Sequence, residues 1–210
     1  MKKLLCWLQR GGLRKMEQLA NRIAVFFMQK NLIAAEETPV YSYCFEVVLS
    51  MVVSWGSILM VAMLTNTLWV TACYIGSFCL LRSVVGGYHA STHLRCYLLS
   101  VGAYLLFLLV QFSLPTQYVS IICCLLAVFS VAVLLKLAPL EHPNNPFTPQ
   151  SYQQFHRRML LFLALFIIIL PMLLQHTLWQ TAFASTWGCT QAATSVAVAH
   201  YFSEKEERTL

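Results

Sequence analysis

The chain has 210 residues, of which 59% are hydrophobic and only 10% charged. Soluble domains carry about 25% charged residues, so a chain of this composition, with a mean hydropathy of +0.66, cannot cover a water-facing surface and a soluble globular fold is excluded. Its net charge of +6 is accounted for by anionic lipid headgroups, and no nucleic-acid partner is implied.

Residues 1–33 do not read as a membrane span. Leu4, Leu5, Trp7, Leu8, Leu13, Met16, Leu19, Ala20, Ile23, Phe26 and Phe27 recur at mostly helical spacing, with Lys2, Lys3, Arg10, Arg14, Lys15 and Arg22 between them. That pattern suits an amphipathic helix, either lying in the membrane interface or packed on the protein's own cytoplasmic face. Gly11-Gly12 is expected to kink or interrupt it. The basic residues break up any apolar core of a signal peptide, and no cleavage site follows.

Six apolar runs then approach the ~20 residues a membrane helix needs. They are read at 41–64, 67–85, 97–114, 118–138, 159–175 and 178–200. The expected fold is an all-α integral membrane protein. A six-span helical bundle occupies 34–202, preceded by the amphipathic region 1–33 and followed by a charged tail, 203–210, expected to be unstructured. One long polar link runs from Ala138 to Pro149. Its four prolines favour a stiff, extended loop.

Charge placement suggests the topology. Seven Lys and Arg precede the first span, ending with Lys30. Arg82 and Arg95 flank the link between the second and third spans. Lys136, Arg157 and Arg158 flank that between the fourth and fifth, and Lys205 and Arg208 follow the last. The other links carry no positive charge. Every Lys and Arg therefore falls on one side of a six-span arrangement, which the positive-inside rule assigns to the cytoplasm together with both termini.

Eight cysteines are present, most of them within apolar runs, where a thiol behaves as a small hydrophobe. A reducing cytoplasmic face argues against disulfides there. Only Cys96 has polar and basic neighbours. It closes the segment Gly86-Gly87-Tyr88-His89-Ala90-Ser91-Thr92-His93-Leu94-Arg95-Cys96. A neutral imidazole can take a proton from a thiol, and the thiolate formed is a strong nucleophile. On one straight helix His89 and Cys96 would lie two turns apart, about 10.5 Å along the axis. Catalysis by this pair therefore needs the chain to bend. Gly86-Gly87 permits a bend, and Ser91 or Thr92 is a candidate N-cap for the third span. Cys96 would then stand in the first turns of that helix, at the positive end of its dipole, where thiolate is favoured.

Other readings of these residues stand beside that one. His89, His93 and Cys96 fall at i, i+4 and i+7, and with His142 they form a candidate metal-ligand set. A proton path through His89, His93, Glu46 and Glu141 would suit a transporter, but no inverted repeat or broken helix pair supports one. The chain has no Asp, which rules out a Cys-His-Asp triad within it. Candidates to orient His89 are Glu141, Asn144, Asn145, Glu46 or a backbone carbonyl. Arg82 reads either as an anchor at the membrane interface or as a cation for a substrate carboxylate or an oxyanion.

The segment Arg82-Ser83-Val84-Val85-Gly86-Gly87-Tyr88-His89-Ala90, followed by Cys96 and Ser100, resembles a signature of the accessory gene regulator protein B family. These are bacterial membrane endopeptidases that process quorum-sensing pro-peptides. Ala138-Pro139, continuing to His142-Pro143-Asn144-Asn145-Pro146, is similar to the family's second signature, with Asn145 where a Lys is frequent. The resemblance implies a cysteine endopeptidase with His89 and Cys96 as its catalytic pair. It would work without a cofactor and form a thioester on Cys96, and the product ring would be a thiolactone or a lactone. Arg82, Gly86, Gly87, Glu141 and Asn144 are implied as supporting or substrate-binding residues. Implied partners are a pro-peptide with an amphipathic N-terminal helix and an acidic tail, the membrane lipids, and a second copy of the chain. The implied location is the bacterial cell membrane, with the active site on the cytoplasmic side.

Overall fold

A computed structural model describes residues 17–87, 92–140, 148–175 and 178–207. Among them the chain is helical with no strand. The helices are α1 (17–29), α2 (Thr38–Leu64), α3 (Leu68–Val85), α4 (His93–Ser113), α5 (Thr116–Leu137), α6 (Pro149–Gln175) and α7 (Trp179–Glu207). Five segments are long and apolar enough to cross a membrane: Ala35–Leu64, Leu68–Val85, Leu94–Ser113, Thr116–Leu137 and Gln150–Gln175. The sixth expected span, 178–200, is helical from Trp179 within α7 but is not among these five.

Two boundaries differ from those read in the sequence by more than a few residues. α6 begins at Pro149, ten residues before the apolar run. Thr148 caps it, its Oγ1 accepting from the Ser151 amide at 3.3 Å, and proline suits the first helical position because its missing N–H has no partner there anyway. Pro149 therefore opens a helix instead of extending the loop. The tail expected to be unstructured from Ser203 is helical to Glu207. Of the region 1–33, the part beyond residue 16 is described, and 17–29 is helical. Gly11-Gly12 lies outside the described residues.

The chain forms two compact units. The first holds α1, α2 and α4 through Leu105. Within it α2 buries a stripe of Ser50, Ser54, Ile58 and Ala62, one residue every four, as one face of a helix requires. Phe27 of α1 meets Phe45 of α2 with ring centroids 5.3 Å apart, and Ser57 of α2 lies 3.2 Å from the Tyr97 hydroxyl of α4.

The second unit holds α3, α4 from Leu106, and α5 to α7. α7 packs against α3, α5 and α6, with Ala182, Phe183, Thr186, Ala192, Ala193 and Val196 fully buried. Phe107 of α4 stacks between Tyr74 and Phe183, at 4.8 and 6.0 Å. A second apolar core joins the end of α3 (Leu81, Val84, Val85), the end of α5 (Leu134), the middle of α6 (Met159, Leu163) and the middle of α7 (Cys189, Ala192, Val196). The ends of α3 and α5 therefore meet against the middles of α6 and α7.

Candidate functional site

α3 does not run on into α4. It ends at Val85, and Gly86 and Gly87 follow with φ of +74° and +132°, a region that side-chain-bearing residues rarely enter. The helix starts again at His93. The straight helix that would hold His89 and Cys96 two turns apart is thus absent. His89 itself lies outside the described residues.

Thr92 is the N-cap of α4. Its Oγ1 accepts from the Arg95 amide at 3.3 Å, and its carbonyl accepts the first helical bond, from the Cys96 amide at 3.0 Å. The side-chain bond satisfies one of the helix's orphan donors. Cys96 consequently stands at the close of the first turn of α4, and it is exposed. Buried thiols such as Cys123 and Cys189 have no such access.

At the end of α3 the Arg82 guanidinium turns back onto the glycine turn. One nitrogen, Nη1, donates to the Gly86 carbonyl at 2.9 Å and to Ser195 Oγ of α7 at 2.8 Å. Ser195 donates in turn to the Ala192 carbonyl at 2.8 Å. A Cβ on Gly87 would overlap the Arg82 guanidinium and lie 2.6 Å from Ser195 Oγ. Glycine at 87 is therefore needed twice, for its backbone angle and for the space the guanidinium fills. Arg82, read in the sequence as an interface anchor or a substrate cation, is half-buried and engaged by the turn.

The second motif begins against the first. The Leu140 amide donates to the Val85 carbonyl at 3.1 Å, and the Leu140 carbonyl oxygen is 3.2 Å from where a Gly86 Cβ would sit. Glu141, His142, Asn144 and Asn145 lie outside the described residues. Glu46 is half-buried in the third turn of α2. Arg95, Arg157 and Arg158 are exposed. Among the described residues no three His, Cys or Glu side chains gather closely enough to hold a metal ion; His89, His142 and the His93 side chain are not among them. Ser195 and the Leu140 backbone were not singled out in the sequence. The available signal for Ser195 was the run of small polar residues Thr186, Thr190, Gln191, Thr194 and Ser195 in an otherwise apolar chain.

No curated protein and no solved structure matches the chain. The family model of Accessory gene regulator B matches residues 20–196, a stretch that takes in both the Arg82–Cys96 segment and the link from Ala138. Over so much of its length, the chain belongs to the accessory gene regulator B family, and so is a membrane protein with a role in processing quorum-sensing peptides.

Proposed function

We propose that the protein is a cysteine endopeptidase of the membrane, with Cys96 as nucleophile and His89 as its base. The observation that carries the reading is the exposed position of Cys96 in the capped first turn of α4, after a helix break at Gly86-Gly87. Cys96 Sγ attacks a backbone carbonyl carbon of the precursor. As the C–N bond breaks, His89 returns the proton it took from the thiol to the leaving amine. The C-terminal piece departs, and the N-terminal piece stays as a thioester.

An internal Cys or Ser of the substrate then attacks the thioester carbon. His89 takes the proton of that thiol or hydroxyl, Cys96 leaves as thiolate, and a thiolactone or lactone ring closes. Holding that nucleophile beside the thioester gives closure a high effective molarity, and excluding water keeps hydrolysis from giving a linear product. The chemistry uses no cofactor. Glu141, Asn144, Asn145, Glu46 or a backbone carbonyl orients His89.

The same reading assigns α7 as a sixth span. Its 29 residues extend roughly 43 Å at 1.5 Å per residue, and its polar side chains are tolerated because neighbouring helices shelter them. All Lys and Arg then face the cytoplasm, with both termini and Cys96. The exposed Arg95, Arg157 and Arg158 attract the acidic tail of the precursor, whose amphipathic helix shares the lipid interface with residues 1–33. The working form is a homodimer.

The test is to incubate the purified protein with its pro-peptide and search for a thioester on Cys96 by mass spectrometry. Cys96→Ala and His89→Ala each abolish cleavage, whereas Cys124→Ala, at another exposed thiol, leaves it intact. Cleavage that survives Cys96→Ala ends the proposal.

A further inference from the structure

We infer that Ser57 of α2 is a positioning residue for Cys96, acting through Tyr97; the inference rests on the reading of Cys96 as nucleophile. All three residues belong to the first unit. The Ser57 and Tyr97 hydroxyls lie 3.2 Å apart. The direction of their bond follows from counting protons. Ser57 Oγ donates to the Val53 carbonyl of its own helix at 2.9 Å, and a serine hydroxyl has one hydrogen to give. Its lone pairs are left to accept, so the Tyr97 phenol donates across to α2.

Packing does little to set the rotation of this part of α4. From Leu94 to Ala103 no side chain is buried, and Leu98 and Leu99 are 49% and 57% exposed. Lipid is as apolar as leucine, so such side chains gain almost nothing by turning toward a neighbouring helix. A phenol is different, because its hydroxyl loses a hydrogen bond when it turns into hydrocarbon. Tyr97 therefore has a direction to keep. Successive residues of an α-helix stand about 100° apart around its axis. Holding Tyr97 toward α2 thus holds Cys96 on the flank beside it, where the thiol is exposed. The Thr92 cap sets where the helix begins, but it does not set how the helix is turned about its own axis. Cap and phenol together define the height of the thiol and the way it faces. Attack on a carbonyl carbon needs sulfur held in line with it, and a thiol that swings with its helix meets that geometry for only part of the time.

The experiment follows the thioester on Cys96 by mass spectrometry in a single turnover, with full-length protein in detergent micelles in excess over its pro-peptide. Tyr97→Phe keeps the ring and removes the hydroxyl. It is expected to lower the limiting rate about threefold, the scale of the mean hydrogen bond between membrane helices, and to leave the half-saturating concentration unchanged. Ser57→Ala has the same effect, and the double variant is no slower than either. Ser57→Thr, which keeps a hydroxyl on the same carbon, restores the rate. Ser54→Ala removes a hydroxyl that bonds within its own helix, and it changes nothing at Cys96. The way the thiol faces is read separately, from the ratio of its modification by a charged methanethiosulfonate to that by N-ethylmaleimide. That ratio shifts in Tyr97→Phe and Ser57→Ala and returns in Ser57→Thr. If Tyr97→Phe does not fold, Ser57→Ala decides alone, since alanine is the best helix former. Slowing with an unchanged ratio overturns the positioning role, and so does a raised half-saturating concentration at an unchanged limiting rate. Full activity of the single variants, with cleavage still abolished by Cys96→Ala, overturns it and leaves the nucleophile intact. Cleavage that survives Cys96→Ala overturns the nucleophile, and the positioning role with it.

Discussion

α2 and α7 are opposites. α2 is strongly apolar, yet few of its side chains are buried: Val52, Met60 and Leu64 are 62%, 59% and 79% exposed. α7 carries Thr186, Thr190, Gln191, Thr194 and Ser195, yet most of its inner length is covered by α3, α5 and α6. In water the two would be reversed. In lipid the outer face must be greasy, whereas a sheltered helix can afford polar side chains that hydrogen-bond to its neighbours. Tyr74 donates to Gln191, Ser130 meets Thr190, and Arg82 meets Ser195. Hydropathy along this chain thus follows exposure on the outer faces of the helices, and the small polar residues follow burial against protein.

The contrast is most sharply broken at two glycines. A Cβ on Gly188 of α7 would stand 2.5 Å from the Tyr74 carbonyl oxygen and 3.0 Å from the Phe78 amide nitrogen, both backbone atoms of α3. Neither can swing aside as a side-chain tip would. Gly56 of α2 has nothing within 4 Å of such a Cβ. Gly188→Leu is therefore expected to prevent accumulation of folded protein, beyond the about 1–3 kcal/mol of ordinary overpacking. Gly56→Leu leaves it monodisperse, and Gly56→Ala is neutral or stabilising by up to about 1 kcal/mol, from helix propensity. Size-exclusion profiles and thermal melts in detergent decide it. Equal behaviour of the two leucine variants would show that α7 does not press on α3.

Next in size comes truncation. Phe183 is fully buried and touches the rings of Phe107 and Trp187, at 6.0 and 5.5 Å. Phe183→Ala removes those contacts and leaves a hole, at a cost of about 3–5 kcal/mol. Val52→Ala, on the open face of α2, shifts stability by no more than about 0.5 kcal/mol. Denaturant titration of both variants in the same micelle gives the comparison directly.

The same contrast explains what could be read from the sequence. The apolar runs located α2 to α5 within a few residues, because lipid-facing helices must be apolar over their length. The start of α6 was missed because Gln150 to Arg158 is polar and because Pro149 was counted as a breaker, when at the first helical position it breaks nothing. α7 was recognisable as a helix-length run, but its central place was not, since periodicity cannot name the helices that will cover it. At the candidate site, Gly86-Gly87 announced a bend and Thr92 a cap, both from local chemistry. The partner of Arg82 was not legible: Ser195 is 113 residues away in the chain, and only folding brings the two together.

The smallest expected effect separates two contacts that look alike. The Ser130 and Thr190 hydroxyls lie 3.0 Å apart between α5 and α7. Each is also within reach of a carbonyl on its own helix, Leu126 at 2.7 Å for Ser130 and Thr186 at 2.8 Å for Thr190. Two protons serve three contacts, so one contact always lacks its hydrogen. The Arg82–Ser195 pair has no such shortage. Thr190→Val, which keeps the shape and removes the hydroxyl, is therefore expected to cost about 0.6 kcal/mol, the mean for hydrogen bonds between membrane helices. A double-mutant cycle with Ser130→Ala should give a coupling no larger than that. A coupling of several times this size would mean that the hydroxyls donate across the helices in preference to their own carbonyls, and that the polar seam of α7 contributes as strongly to holding the second unit together as its buried phenylalanine does.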